Sequence, residues 1–327
     1  MKKIITRVAI AVAGFTGVAT AQQDPQFTQW MHNRVIFNPG YAGTSNAICG
    51  VAQYRQQWAS FDGAPNTIAL GLDGRIPGAP VGVGLSVISD KVGAMNTLFL
   101  RAAGSYLIPD VAGGTIGIGL DAGILQKNIT NTWITPEDGK VDSKIPGAYN
   151  NAGLQNPDFR KLTYDVGFGV FYNIPDKFFV GLSSTHLPAQ ALTSGNIGFD
   201  MTRHYYLMTG YHLNLDGSSA GRNELIPAVK VRSDLAATNL DANLMYRWNK
   251  MVSVGGAFRT GGYAAALIGF QNMNAKQTLS YRIGYSYDLS LSKIKGYSGG
   301  THEIILGACI FLKEKKVTSY SDPRFLN

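Results

Sequence analysis

Hydrophobic and polar residues alternate with a period of two along most of this chain. Between 116 and 124, Ile116, Ile118, Leu120, Ala122 and Ile124 share one face, against Gly117, Gly119, Asp121 and Gly123 on the other. In 240–248, Leu240, Ala242, Leu244, Tyr246 and Trp248 oppose Asp241, Asn243, Met245 and Arg247. The same holds in 98–106 and in 279–287, where Leu279, Tyr281, Ile283, Tyr285 and Tyr287 oppose Ser280, Arg282, Gly284 and Ser286. Strict alternation is the mark of a β-strand whose two faces meet different media. Such segments recur with Gly, Pro, Asn and Asp between them. They predict strands at 46–58, 65–76, 79–89, 95–107, 114–126, 162–174, 177–187, 201–213, 224–232, 238–248, 250–259, 263–272, 278–288 and 301–312.

An even strand count of this size closes into an antiparallel barrel with both ends of the wall on one side. A soluble β-sandwich would alternate too, but it needs neither such long strands nor aromatic residues at their ends. Trp58, Tyr106, Trp248 and Tyr287 sit at strand ends, where aromatic rings anchor at a lipid–water interface. The expected fold is therefore all-β, a transmembrane antiparallel β-barrel of about 14 strands. It spans residues 46–312 in the outer membrane, with N- and C-termini periplasmic. Connection lengths agree with that orientation. The long connections at 127–161, 188–200 and 289–300 follow odd strands, whereas Pro77-Gly78, Pro175-Asp176 and Asn249-Lys250 are tight turns after even ones.

The ends of the chain read differently. Lys2, Lys3 and Arg7 precede an apolar stretch, Val8 to Val18, and Ala19-Thr20-Ala21 forms an A-x-A site, so 1–21 reads as a signal peptide. Its removal takes the formal charge from +8 to +5. After it there is no apolar run of 18 residues, the length a spanning helix needs. Residues 22–45 do not alternate. Phe27, Trp30, Met31 and Arg34, with Val35, predict a short amphipathic helix ended at Asn38-Pro39-Gly40, and so aromatic a segment is expected to plug the lumen. Residues 313–327, with Lys313, Lys315 and Lys316, are expected to form a periplasmic tail rather than a nucleic-acid site.

Composition supports this picture. Charged residues are only 15% of the chain, against roughly 25% in soluble domains. Glycine is 39 of 327, a poor composition for a helical enzyme. The charges fall on the inward face: Arg55, Asp73, Arg101, Asp121, Asp165, Arg247, Arg259, Arg282 and Glu303. Both signs are present, which predicts a cross-linked polar lumen. Cys49, near the start of the first strand, and Cys309, near the end of the last, share the inward face at the closing seam. They are either bonded in an oxidising compartment or two small thiols side by side. In the outer loops, Trp133, Tyr149, Phe159 and Phe199 are candidates for contact with a protein partner.

Enzyme chemistry has little foothold. There is no H-E-x-x-H, G-x-S-x-G or P-loop. His204 and His212, eight residues apart on one strand, would be about 26 Å from each other, too far for a shared metal. Pro136-Glu137-Asp138-Gly139 reads as a turn without EF-hand spacing. No cofactor, metal or catalytic site is expected.

Several blocks resemble the PorP/SprF family of Bacteroidetes. They are Gln23-Asp24-Pro25-Gln26-Phe27-Thr28-Gln29, then Asn38-Pro39-Gly40-Tyr41-Ala42-Gly43, then the most specific, Arg55-Gln56-Gln57-Trp58-Ala59-Ser60-Phe61-Asp62-Gly63-Ala64-Pro65. Gly82-x-Gly84-Leu85 with Asp90-Lys91-Val92-Gly93, Val180-Gly181-Leu182-Ser183-Ser184-Thr185-His186-Leu187, and Tyr285-Ser286-Tyr287-Asp288 before His302-Glu303-Ile304 continue in order through the mature chain. The 127–161 insertion is least like the family. The resemblance implies an outer-membrane protein of the type IX secretion system, tied in many of these bacteria to gliding motility. It further implies that the protein delivers or anchors a secreted surface protein, such as an adhesin with a type B C-terminal domain. Partners then include that cargo, outer-membrane lipid, and type IX lipoproteins or a peptidoglycan-binding protein. The alternatives are a diffusion channel for a small solute and an envelope linker to periplasmic peptidoglycan-associated components.

Overall fold

The computed structural model describes residues 24–129, 159–194, 197–217, 222–291 and 298–311. The expected signal peptide and C-terminal tail lie outside the described residues, as do Trp133 and Tyr149 and the side chain of Phe159.

Fourteen strands close into an antiparallel barrel. In chain order the first seven are β1 (Ala47–Gln56), β2 (Asn66–Arg75), β3 (Val81–Val92), β4 (Met95–Val111), β5 (Gly114–Ile129), β6 (Phe159–Ile174) and β7 (Phe178–Thr185). A small separate hairpin follows, β8 (Ala191–Ser194) and β9 (Ile197–Asp200). The wall resumes with β10 (His204–Tyr211), extended by the two-residue β11 (Leu213–Asn214), then β12 (Glu224–Ser233), β13 (Thr238–Trp248) and β14 (Val252–Arg259). It finishes with β15 (Tyr263–Met273), β16 (Leu279–Ser290) and β17 (Thr301–Phe311). Each wall strand pairs with its neighbours in sequence, β10 pairs β12, and β1 pairs β17 to close the ring. Closure leaves no strand edge unpaired in lipid.

Alternation explains the two faces. Leu72, Leu120, Leu182 and Ile268 point outward and are each more than half exposed. Such an apolar belt is stable only against lipid. Residues one step away point inward and are buried, as the strict alternation along β12 illustrates.

The wall has two unequal rims. β1 begins and β17 ends at what we term the near rim, where 76–80, 112–113, 175–177 and 249–251 make short turns. The opposite, far rim carries the connections 57–65, 130–158, 186–203 and 291–300. It is also uneven in height. β4 to β6 run 16 or 17 residues, beyond the 9–11 a bilayer needs. Pairing of β6 with β7 starts only at Phe168 with Ser184, so the first nine residues of β6 rise above β7, and the β8–β9 hairpin packs against them. The 188–200 connection thus contains a hairpin. Phe199 on it is half-buried under the Lys127 ammonium, 4.4 Å from the ring centroid, and packs on the buried cluster inside the barrel.

Residues 24–46 fill the lumen. They form three successive 3₁₀ turns, Trp30–His32, Arg34–Ile36 and Pro39–Tyr41, instead of the expected amphipathic helix. The reason is that the segment has no polar face to keep. Phe27, Trp30, Asn33 and Asn38 are all at most 1% exposed, so wall side chains surround it on every side. The segment also starts deeper than expected. Asp24 contacts His186 and Tyr206 in the far half of the lumen, and the chain then runs toward the near rim before entering β1. Among the described residues, the ends of the wall, Ala47 and Phe311, share the near rim. Close approach depends on glycine at the wall. A Cβ on Gly117 would lie 2.0 Å from the Gly40 carbonyl oxygen, and one on Gly82 2.0 Å from that of Ala42.

The seam is covalently closed. Cys49 and Cys309 are direct partners between β1 and β17 and are joined by a disulfide.

Candidate functional site

The inward charges form clamps on the lumen segment at three levels. Uppermost, the Asp24 carboxylate accepts from Tyr206 Oη at 2.9 Å and meets His186 Nε2 at 2.9 Å. The other ring nitrogen of His186 faces Asp165 at 3.0 Å, and Asp165 lies 3.5 Å from Arg101. The Arg232 guanidinium donates to the Asp24 carbonyl at 2.8 Å. Burial alone would lower the His186 pKa, but Asp24 and Asp165 outweigh it and hold it at about 9. Burial opposes ionisation of Asp24, yet His186 and His204 keep its carboxyl well below the usual range.

Asp24, His186 and His204 are also the group whose ligand atoms come close enough for a metal, within 4.8 Å of one another among the described residues. The donor set does not fit one. His186 is held protonated, and both its nitrogens are engaged by carboxylates, so it offers no lone pair.

At the middle level Arg55 bridges Asp288 at 2.7 Å and Glu303 at 2.8 Å, with all three side chains at most 2% exposed. Glu303 also accepts the backbone N–H groups of Thr28 at 2.8 Å and Gln29 at 2.7 Å. The Thr28 hydroxyl donates to Asp288. Beside this, the Trp30 indole N–H donates to Asn243 at 2.9 Å, and Arg259 pairs with Asp241 while donating to the Phe27 carbonyl at 3.1 Å. A lumen segment has backbone groups without a ladder partner, and these wall side chains supply the partners.

The lowest level opens into a cavity of ≈ 750 Å³ bounded by near-rim turns and the underside of the segment. Here Arg34 lies over the Phe179 ring, 3.8 Å from its centroid. Arg282 donates to His32 Nδ1 at 2.6 Å and to Gln271. Burial first, then Arg282, push the His32 imidazole well below its usual value, so it is neutral and accepts that bond. Arg247 pairs with Glu224 at 3.2 Å, and Asp73 accepts from the Gly43 N–H at 3.1 Å.

All nine inward charges expected from the sequence face the lumen, but they do not act as one network. Arg55 with Glu303, Arg101 with Asp165, Arg247 with Glu224 and Arg259 with Asp241 are separate pairs at different heights. Asp121 packs against Gly167 on the neighbouring strand. Phe27, Trp30, Met31 and Arg34 are all in the lumen segment. Sequence reading missed Asp288 and Lys230, whose alternation was legible, and the His186–His204 juxtaposition, which needs Thr185 paired with His204. Nothing in the sequence pointed to Asp24 as their partner.

Comparison with known proteins follows from this geometry. The chain resembles the CymD monoaromatic hydrocarbon channel at TM-score 0.51 and 12% identity, over 92% of this chain and 96% of that one. It resembles the P. putida toluene transporter TodX at TM-score 0.50 and 11% identity, over 86% and 95%. At such identities the likeness is one of barrel fold. A comparison with curated proteins finds no match. The family model for the type IX secretion system membrane protein PorP/SprF matches residues 19–308, nearly the whole barrel and its lumen segment. This outer-membrane β-barrel belongs to the PorP/SprF family of type IX secretion system membrane proteins.

Proposed function

We propose that this protein is an accessory of the type IX machinery that docks and holds a cognate secreted surface protein at its far rim. The cargo class is an adhesin-like protein with a type B C-terminal domain. The far rim then faces outward and the near rim faces the periplasm, where machinery lipoproteins or a peptidoglycan-binding protein are the expected neighbours. The observation that carries this reading is the sealed lumen. Phe27 and Trp30 are fully buried across the middle of the barrel, bonded to the wall on several sides. A wall with such a filling leaves surface recognition, rather than solute passage, as its means of acting. The raised β4–β6 edge and the long far-rim connections supply that surface.

The test is a mild-detergent pull-down from native membranes with mass spectrometry, paired with single-channel recording. Co-purification of a large secreted protein with negligible conductance is expected. Recovery of the chain alone, with steady currents from the intact protein, would refute docking in favour of a diffusion channel. Deleting 24–44 should raise conductance.

A further inference from the structure

We infer that the near-rim cavity is a binding site for an acidic peptide segment, entered from the side of the barrel opposite the proposed cargo surface. The site rests on its own residues and stands or falls separately from cargo docking.

Size comes first. At ≈ 750 Å³ the cavity is within the range of ligand pockets, and the lumen segment forms its floor rather than its occupant. Charge comes second. Arg34, Arg222, Arg247, Lys250 and Arg282 line it. Three acids, Asp73, Asp176 and Glu224, line it as well, but Glu224 is already shared by Arg247 and Lys250 and Asp73 is held by Gly43. Arg34 and Arg282 make no ion pair among the described residues. One guanidinium is packed on Phe179 and the other on the neutral His32 and Gln271, which contribute no negative charge. Two inward guanidiniums outside any ion pair, offset by Asp73 and Asp176 only from a distance, favour an incoming carboxylate in a partly desolvated cavity. Lys250 and Arg222 are exposed at the mouth.

The rest of the lining selects a peptide over a lipid tail. Asn33, Asn173, Gln271 and Asn272, each already holding a protein partner, make the lining polar. A peptide backbone exchanges hydrogen bonds with such a polar lining, whereas a hydrocarbon chain only desolvates it. Met31, Met245, Met251 and Met273 give the apolar portion an adaptable surface for varied side chains.

The experiment uses the full-length protein in a neutral maltoside detergent and a dye-labelled hexapeptide of alternating leucine and glutamate. The same peptide with glutamine for glutamate is the comparison, and fluorescence anisotropy is the readout. Saturable binding of the acidic peptide at least about tenfold tighter than its glutamine counterpart is expected. Arg282→Gln and Arg34→Gln should each weaken it about tenfold or more, the usual effect of losing one charge-assisted bond. Arg160→Gln, the same charge change at the exposed start of β6 on the far rim, should leave it unchanged. If Arg34→Gln does not fold because its ring contact is lost, Arg282→Gln and the exposed Lys250→Gln still decide. Equal affinity for both peptides overturns the proposal, as do unchanged binding in Arg282→Gln or an equal loss in Arg160→Gln. Displacement of the peptide by inorganic phosphate at matching concentration would reduce the site to a bare oxyanion pocket and overturn the peptide assignment.

Discussion

Replacing Glu303 by alanine isolates what the middle clamp contributes. The carboxylate is fully buried and accepts four donors: Thr28 N–H, Gln29 N–H, one arm of Arg55 and, more distantly at 3.4 Å, the Gln53 amide. Arg55 retains Asp288 at 2.7 Å, so its charge stays compensated in Glu303→Ala. The two backbone N–H groups do not find another acceptor, and leaving each unsatisfied costs about 1–3 kcal/mol. The lumen segment is therefore destabilised by about 2–6 kcal/mol, while the wall's ladder is untouched. At the lower bound the local opening equilibrium rises about thirtyfold. Hydrogen exchange by mass spectrometry reads this directly on peptides covering 24–34, with β13 and β14 peptides as the internal control. Exchange of the 24–34 peptides should accelerate by at least that factor with the controls unchanged. Glu303→Gln, which keeps one acceptor oxygen, should give a smaller effect. Protection of 24–34 within about threefold of wild type in Glu303→Ala would show that the carboxylate does not hold the segment.

Three further outcomes follow from other contacts. The upper clamp is pH-dependent in a defined direction. Because the His186 pKa is raised to about 9, its contribution is complete below the ordinary value of 6.5 and disappears as pH rises through about 9; the depressed Asp24 carboxyl adds a contribution present above 3.8 and lost on acidification. Protection of residues 24–27, corrected for intrinsic exchange, should fall between pH 7 and 10, and His186→Gln should abolish that fall. Converting Cys49 and Cys309 together to serine should lower the thermal midpoint, with a ceiling of about 5 kcal/mol; identical midpoints with and without reductant would mean that the seam is held by its ladder alone. Gly117→Val forces a side chain into the Gly40 carbonyl, at a cost of about 1–3 kcal/mol of overpacking, and should loosen 38–44 in the same exchange assay.

The wall was legible in the sequence because a β-barrel writes itself locally. Each strand's inward and outward residues alternate regardless of partner, so Ile118 and Leu120 outward and Asp121 inward follow from parity alone. Parity also put Cys49 and Cys309 on one face at adjoining strands, though only the register of β1 against β17 made them direct partners. The lumen segment was legible in composition but not in path. Many of its contacts join residues far apart in sequence, such as Asn38 with Val170 and Thr28 with Glu303, and no period encodes them. The helix expected there is absent for the same reason: Phe27, Trp30 and Met31 read as one apolar face, whereas wall side chains enclose Phe27 and Trp30 all round. Phe199, expected to face a partner, instead packs inward under Lys127, because the height of β6 above β7 gives it a surface to cover.

The clamp between Thr28, Gln29 and Glu303 ties the segment that precedes the wall to the wall's last strand. Asp288 and Glu303 belong to β16 and β17, the final pieces of the wall to be synthesised. Until they are present, Arg55 has neither carboxylate of its pair and the two amides have no acceptor. The leading segment thus reports on whether the trailing hairpin has arrived. A nascent or truncated polypeptide lacking it has an incomplete rim and an unseated interior at once.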